Sequence, residues 1–278
     1  MTEPARLPTR QLLQPDLPAF DTRGVEPALR EALAELLLTM ADDEFVLGFW
    51  DSEWTGIAPL LEEDVAFSSL AQDEIGHARV WYEMLAQLTG SDADEIAFGR
   101  QAEEYRHARL LDHPRTDWAF SIARRWLYDT ADSVRLAGLT RSSFAPLAEV
   151  VAKVRREERY HLLHMDAWLR RLAGHPGEPR DRLEGALTTL RSDALSVFAP
   201  LDGEATLIAA GVLDAPIAEL ADRWRSVASG VLSELGLPAL AEGLPPLDGR
   251  SRAEPSESFR WLWSEFTTVR RLEEGVTW

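Results

Sequence analysis

A chain of 278 residues is long enough for one large domain or two small ones, with a core able to shield polar chemistry. Its hydrophobic fraction of 45% is that of a soluble globular protein, and zero cysteines exclude disulfides, thiolate-held iron–sulfur clusters and cysteine catalysis. No apolar run approaches the roughly 18 residues of a membrane span, and a formal net charge of −18 argues against nucleic acid, which demands a basic footprint.

Met1 to Gln14 has no apolar core of a signal peptide, so residues 1–24 read as a disordered or extended lead. With no cysteines, this fits a cytoplasmic protein. Nearly everything after it has helical periodicity, and no stretch sustains the alternation of a strand. The first helix is expected from about Pro27 to Glu53, with Leu33, Leu36, Leu37, Met40, Glu44 and Leu47 on one stripe. Gly56 and Pro59 mark a turn, and a second helix follows to about Leu88, ending at Gly90. Ser91 to Pro114 is polar, with room for a short helix or two. The third long helix spans about Thr116 to Thr140, its inward stripe being Ile122, Trp126, Asp129, Ser133 and Leu136. A turn near Phe144 and Pro146 opens a fourth, ending near Ala173. Two hairpins joined by a long crossover define an all-α, ferritin-like four-helix bundle over residues 25–175. Residues 176–278 read as a helical extension packed on it. That extension has one helix to about Phe198 and another from about Ala215 to Leu235. A Gly/Pro/acidic linker from Pro238 to Pro255 leads to a last short helix over roughly Ser256 to Arg271.

Within the bundle two copies of Glu-x-x-His occur, Glu74-Ile75-Gly76-His77 and Glu158-Arg159-Tyr160-His161. With 27 Glu and 6 His in the chain, chance supplies roughly 0.6 matches, so context must decide. Phe67, Leu70, Ala71, Glu74, His77, Ala78, Trp81 and Leu85 follow helical spacing, and so do Val151, Val154, Glu158, His161, Met165 and Trp168. A third copy, Glu104-Tyr105-Arg106-His107, lies in a run that is polar on nearly every face and reads as solvated surface. Residues three apart on a helix project from one face, so each apolar-stripe copy aims a carboxylate and an imidazole inward. Glu44 and Asp129, thirty and twenty-nine residues upstream of the two motif glutamates, supply one further carboxylate from each remaining helix. Four carboxylates and two imidazoles suit two iron ions, with manganese also admitted by the same donors. Without cations, four buried carboxylates repel one another. Asp73 and Glu157 directly precede the motif glutamates, and ligating histidines usually give their second N–H to a carboxylate. The expected pairs are Asp73 with His161 and Glu157 with His77, against the alternative of surface ion pairs to Arg79 or Arg156.

Other features carry less. His107, His113 and His175 sit in polar or proline-adjacent stretches and read as exposed, and His164 as a histidine at the core edge. Trp50, Trp54, Trp81, Trp126 and Trp168 recur at helical spacing, so packing comes first and a pocket beside the metals second. Lys153, Arg155, Arg156 and Arg159 form a basic cluster that could meet phosphates or an acidic partner, or simply be a solvated face.

Longer blocks carry a resemblance. The segment SEWTGIAPLLEEDVAFSSLAQDEIGHAR looks like the first hairpin of the ferritin-like subunits of bacterial phenylacetyl-coenzyme A epoxidase, a multicomponent di-iron monooxygenase. EERYHLLHMDAWLRRL, AFGRQAEEYRHARLLDHP and VRRLEEGVTW look like its accessory, PaaC-type subunit, over about residues 27 to 278. Accessory subunits commonly lack part of the ligand set. Here Glu44, Glu74, His77, Asp129, Glu158 and His161 all match the catalytic subunit's metal positions, so an accessory body carries a complete site. The resemblance implies epoxidation of the aromatic ring of phenylacetyl-coenzyme A. It also implies assembly with itself and with a homologous PaaA-type oxygenase subunit. Electrons would come from a separate reductase, since the chain has no flavin or nicotinamide fingerprint. The alternatives are a metal-free scaffold for a catalytic partner and a ferroxidase or iron-storage protein. The aromatic C-terminal residues Phe259, Trp261, Trp263, Phe266 and Trp278 are expected to exceed what one short helix buries, marking an interface.

Overall fold

The computed structural model describes residues 20–237, 252 and 254–272; the expected N-terminal lead up to residue 19, most of the 238–255 linker and Trp278 lie outside them. Among the described residues the fold is all-α, with no strand. The long helices are α1 (Pro27–Ser52), α2 (Leu61–Thr89), α4 (Trp118–Leu139) and α5 (Ala145–Ala173), with the short α3 (Ala93–Phe98) in the crossover. They continue with α6 (Glu178–Leu190), α7 (Glu204–Ala209), α8 (Ile217–Glu234) and α9 (Glu257–Leu272).

Local chemistry sets the ends. Pro27 and Pro146 stand in the first turns of α1 and α5, where a missing N–H costs nothing. Asp117 accepts from the Phe120 amide at 2.9 Å to start α4, and Asp92 caps α3 by accepting from the amides of Asp94 and Glu95. Gly90, at φ 76°, closes α2 in the left-handed conformation that only glycine adopts cheaply. The helix expected to reach Phe198 stops at Leu190 and resumes as a 3-10 turn, Ala194–Phe198. The short α7 falls where the sequence pattern predicts no helix.

Cross-helix contacts give the topology. Arg30 bonds the Leu88 carbonyl, Tyr82 bonds Asp42, and Thr55 meets Ser68, so α1 and α2 run antiparallel. Trp54 with Ser121, Arg125 with Asp51 and Arg135 with Asp43 set α4 antiparallel to α1. His164 with Glu63 and His77 with Glu157 do the same for α5 and α2. The result is a ferritin-like ring of four, closed by α4 on α5. α6 and α8 pack against α4, α7 against α1, and α9 against α1 and α3. Trp50, Trp81, Trp126 and Trp224 are all buried in one continuous apolar cluster.

Three consecutive acids on α1, Asp42, Asp43 and Glu44, are all buried. Successive residues turn about 100°, so each acid meets a different neighbourhood. Asp42 accepts from Tyr82 Oη at 2.6 Å, Arg100 Nη1 at 3.0 Å and the Arg106 amide at 2.6 Å. Asp43 accepts from Arg135 Nη1 at 2.6 Å, Arg252 Nη1 at 2.9 Å and the Ala108 amide at 2.7 Å. Glu44 points into the bundle.

Two surface expectations need correction. The stretch around His107 is not solvated: Tyr105, His107 and Ala108 are buried, and the first two pack against Phe259 of α9. His107 bonds Asp112 at 2.6 Å, and the Phe259 ring lies 4.1 Å from the imidazole centroid to centroid. Periodicity fails there because the segment is extended and 3-10, and its apolar cover comes from far along the chain. His113 is also half-buried, bonded to Asp193, while His175 is exposed. The aromatics of α9 likewise turn inward: Phe259 is buried, Phe266 packs on Phe45 and Phe49, and Trp263 donates to the Arg100 carbonyl. Of these four, Trp261 alone is largely exposed, at 49%.

Candidate metal centre

Glu44 from α1, Glu74 and His77 from α2, Asp129 from α4, and Glu158 and His161 from α5 are all buried at the bundle centre. Two groups offer ligand atoms within 4.8 Å of one another, Glu44/Glu74/His77 and Glu74/Glu158/His161, so Glu74 is common to both. Asp129 belongs to neither group. Its carboxylate faces Arg125, one turn earlier on α4, with Nε 3.2 Å from Oδ1.

The imidazoles are oriented from outside the cluster. His77 Nε2 is 2.7 Å from Glu157 Oε2, and His161 Nε2 is 3.2 Å from Asp73 Oδ2. Arg79, the alternative surface partner, is engaged with Glu83 at 2.8 Å. When Nε2–H donates outward, the neutral ring presents its Nδ1 lone pair inward. His77 Nδ1 lies 3.4 Å from Glu44 Oε2 and 3.2 Å from Glu158 Oε1. His161 Nδ1 lies 3.1 Å from both Glu74 Oε1 and Glu158 Oε1.

Polar satisfaction is incomplete here. Glu44 Oε2, Glu74 Oε2, His77 Nδ1 and both Glu158 oxygens are buried with no hydrogen-bond partner. Glu158 Oε1 is within ion-pair distance of both rings but out of line for a hydrogen bond to either. Leaving one buried polar atom unpaired costs about 1–3 kcal/mol, so five converging orphans on oxygen and imidazole nitrogen fit a bound cation. In the metal-free protein, burial pushes the Glu44 carboxyl up to about 8, opposed in part by His77. Burial also drives Asp129 well above the usual carboxylate range, against Arg125. His161 goes the other way: burial would lower it, but the carboxylates of Asp73, Glu158 and Glu74 prevail and push it up to about 12.

Sequence reasoning misses the cation in this cluster. Arg125 is fully buried, its Nη2 2.8 Å from Glu74 Oε1 and its Nη1 2.6 Å from Asp51 Oδ2. Asp51, also buried, is missed with it. The available signal is Arg125 four residues before Asp129, a spacing that pairs charges on a helix. It falls in helical register with Ile122 and Asp129, on the stripe itself, but an arginine is seldom a core residue and so is passed over there. Among the weaker candidates, His164 bonds Glu63 at 2.9 Å at the bundle edge, and Arg155, Arg156 and Arg159 are exposed on α5.

The fold and cluster define a ferritin-like protein with a buried carboxylate–histidine group able to hold metal. The family described as "Phenylacetic acid catabolic protein" matches residues 20–278, and the chain belongs to it. The C-type component of the 1,2-phenylacetyl-CoA epoxidase of Escherichia coli (strain K12) is 31% identical over 159 residues, 57% of this chain and 64% of that protein. The A-type component of the same epoxidase is 26% identical over 175 residues, 63% of this chain and 56% of that protein. The chain thus spans less than two thirds of the length of each relative. No helix among the described residues is long and apolar enough to cross a membrane.

Proposed function

We propose that this chain is a ferritin-like subunit of a multicomponent monooxygenase that epoxidises the aromatic ring of phenylacetyl-coenzyme A. Glu44, Glu74, His77, Asp129, Glu158 and His161 are its metal-ligand set, and iron is the metal, with manganese the alternative. The carrying observation is the convergence of orphaned Glu and His atoms from α1, α2 and α5 at one buried point. When bound, iron would supply the redox chemistry by which dioxygen is reduced.

The chain's own groups do the rest. Glu157 and Asp73 hold the two imidazoles with Nδ1 inward, fixing which nitrogen can ligate. Trp81 Nε1 donates to Glu44 Oε1 at 3.1 Å, which leaves Oε2 as the ligating atom. The surrounding tryptophans and aliphatic side chains exclude bulk water, so charge inside the cluster is poorly screened. Electrons come from a separate reductase, and the partners are further copies of this chain and a homologous PaaA-type subunit.

A second reading has its own support. Arg125 already supplies positive charge to Glu74 and Asp129, as befits an accessory protein that stabilises a catalytic partner. The deciding experiment reconstitutes the whole complex with Glu74→Ala in this chain alone. Turnover should fall if the centre takes part in the reaction. Unchanged turnover with unchanged assembly refutes a catalytic role and leaves the accessory reading.

A further inference from the structure

The two halves of the centre are not equivalent. On the Glu44/His77 side, Glu44 Oε2 and His77 Nδ1 are buried and lack hydrogen bonds. On the His161 side both Glu158 oxygens are likewise without hydrogen bonds, but the imidazole is engaged: His161 Nδ1 is hydrogen-bonded to Glu74 Oε1, and that same oxygen takes Arg125 Nη2 at 2.8 Å. Asp129, the carboxylate that would complete this half, is turned to Arg125 Nε.

Arg125 is not a side chain that can easily swing away. Its guanidinium spans three carboxylates, Asp51, Glu74 and Asp129, and it has no exposed surface. Asp51 stands outside both ligand groups and fixes the far edge of the fork. A guanidinium cannot lose its proton in a protein, so this positive charge is permanent. A divalent ion on Glu74, Glu158 and His161 would have to displace the His161–Glu74 hydrogen bond and would sit beside this guanidinium, which repels it in a poorly screened interior. An ion on the Glu44 and His77 side would use Glu44 Oε2 and His77 Nδ1, which make no hydrogen bond.

We propose that Arg125 is an internal counter-cation standing in for the second metal, so that the centre takes up a single divalent ion, on Glu44, Glu74 and His77. The inference rests on the metal reading above and restricts it. The ion sits on the side ordered by Glu157, and Glu158 Oε1, 3.2 Å from His77 Nδ1, is placed to join it. His161 then serves as a hydrogen-bonding neighbour of the occupied position.

The test is metal stoichiometry with a magnetic readout, independent of turnover. Full-length protein is loaded anaerobically with excess Mn(II), desalted, and measured by elemental analysis and electron paramagnetic resonance. One ion per chain is expected, with the spectrum of an isolated Mn(II), lost in His77→Ala and retained in His161→Ala. Arg125→Met, which keeps the buried stem and removes the charge, is expected to bind a second ion and give an exchange-coupled spectrum. If Arg125→Met does not fold, the two histidine variants carry the test. Two ions in the unsubstituted protein would overturn the inference while leaving the metal reading intact. One ion that follows His161 instead of His77, or responds equally to both, would also overturn it. No ion at all would remove the metal reading, and this inference with it.

Discussion

Replacing Asp43 with alanine should strand buried charge on two arginines. Its carboxylate is fully buried and accepts from Arg135, Arg252 and the Ala108 amide. Burial would raise its pKa, but the two guanidinium groups prevail and hold it below the ordinary value, so it is ionised. Removing it strands charge unequally. Arg135 keeps Asp132 at 2.6 Å and Tyr128 Oη at 3.0 Å, whereas among the described residues Arg252 keeps the carbonyls of Arg106 and Val197. Breaking one side of a buried pair costs about 3–5 kcal/mol. For a chain of this size that is a fall in melting temperature of roughly 6–20 °C. The assay is urea unfolding followed by circular dichroism. Arg252→Met, which removes the stranded charge, should recover part of the loss in the Asp43→Ala background. A loss below about 1 kcal/mol, the level of an exposed ion pair, would refute the claim that this pairing ties residue 252 to the core.

Loading metal should release protons. In the metal-free protein Glu44 sits at about 8, raised by burial, and His77, which burial would lower, is held well above the usual imidazole value by Glu157, Glu158 and Glu44. Because bound metal needs deprotonated ligands, apparent affinity should rise with pH through about 8, and calorimetry in two buffers of different ionisation heat would count the protons; a flat profile contradicts it. For stability the sign is separate. The raised Glu44 pKa favours the metal-free fold fully below pH about 4.5, and that contribution is lost as pH rises through about 8. Glu157→Gln should weaken metal binding by about 10–100-fold through loss of His77 orientation, with unchanged affinity counting against it. Gly203→Ala should destabilise by about 1–3 kcal/mol, because its added methyl would fall 2.4 Å from Ala32 Cβ on α1, and a neutral result in thermal unfolding would show that α7 can shift.

Where the chain is periodic, its fold is legible in the sequence. α1, α2, α4, α5 and α8 lie within about three residues of their expected ends, because apolar stripes and Gly or Pro stops act locally. Glu44, Glu74, His77, Glu158 and His161 are buried together for the same reason, since each sits on such a stripe. Arg125, Asp51, Asp42 and Asp43 are not legible. Buried charge pairs are long-range, with Arg125 reaching back 74 positions to Asp51 and Arg252 reaching 209 to Asp43. Nothing in the immediate sequence of an arginine says that its partner waits on another helix. The His107 segment escapes for a related reason: its cover, Phe259, comes from a helix that lies beyond the linker.

The run Asp42-Asp43-Glu44 constrains how this helix can vary. Each acid serves a different set of donors, spaced by the rotation of the helix, so the three assignments depend on one shared phase. Deleting a residue in the preceding turn would rotate all of them together by about 100°, bringing the wrong acid to each set. Substitutions in α1 can therefore be explored singly, but insertions and deletions upstream of Asp42 are tolerated only if the whole turn is restored. Length variation in this family should fall in the connections and the C-terminal region, with α1 kept constant in length between its proline and its acids.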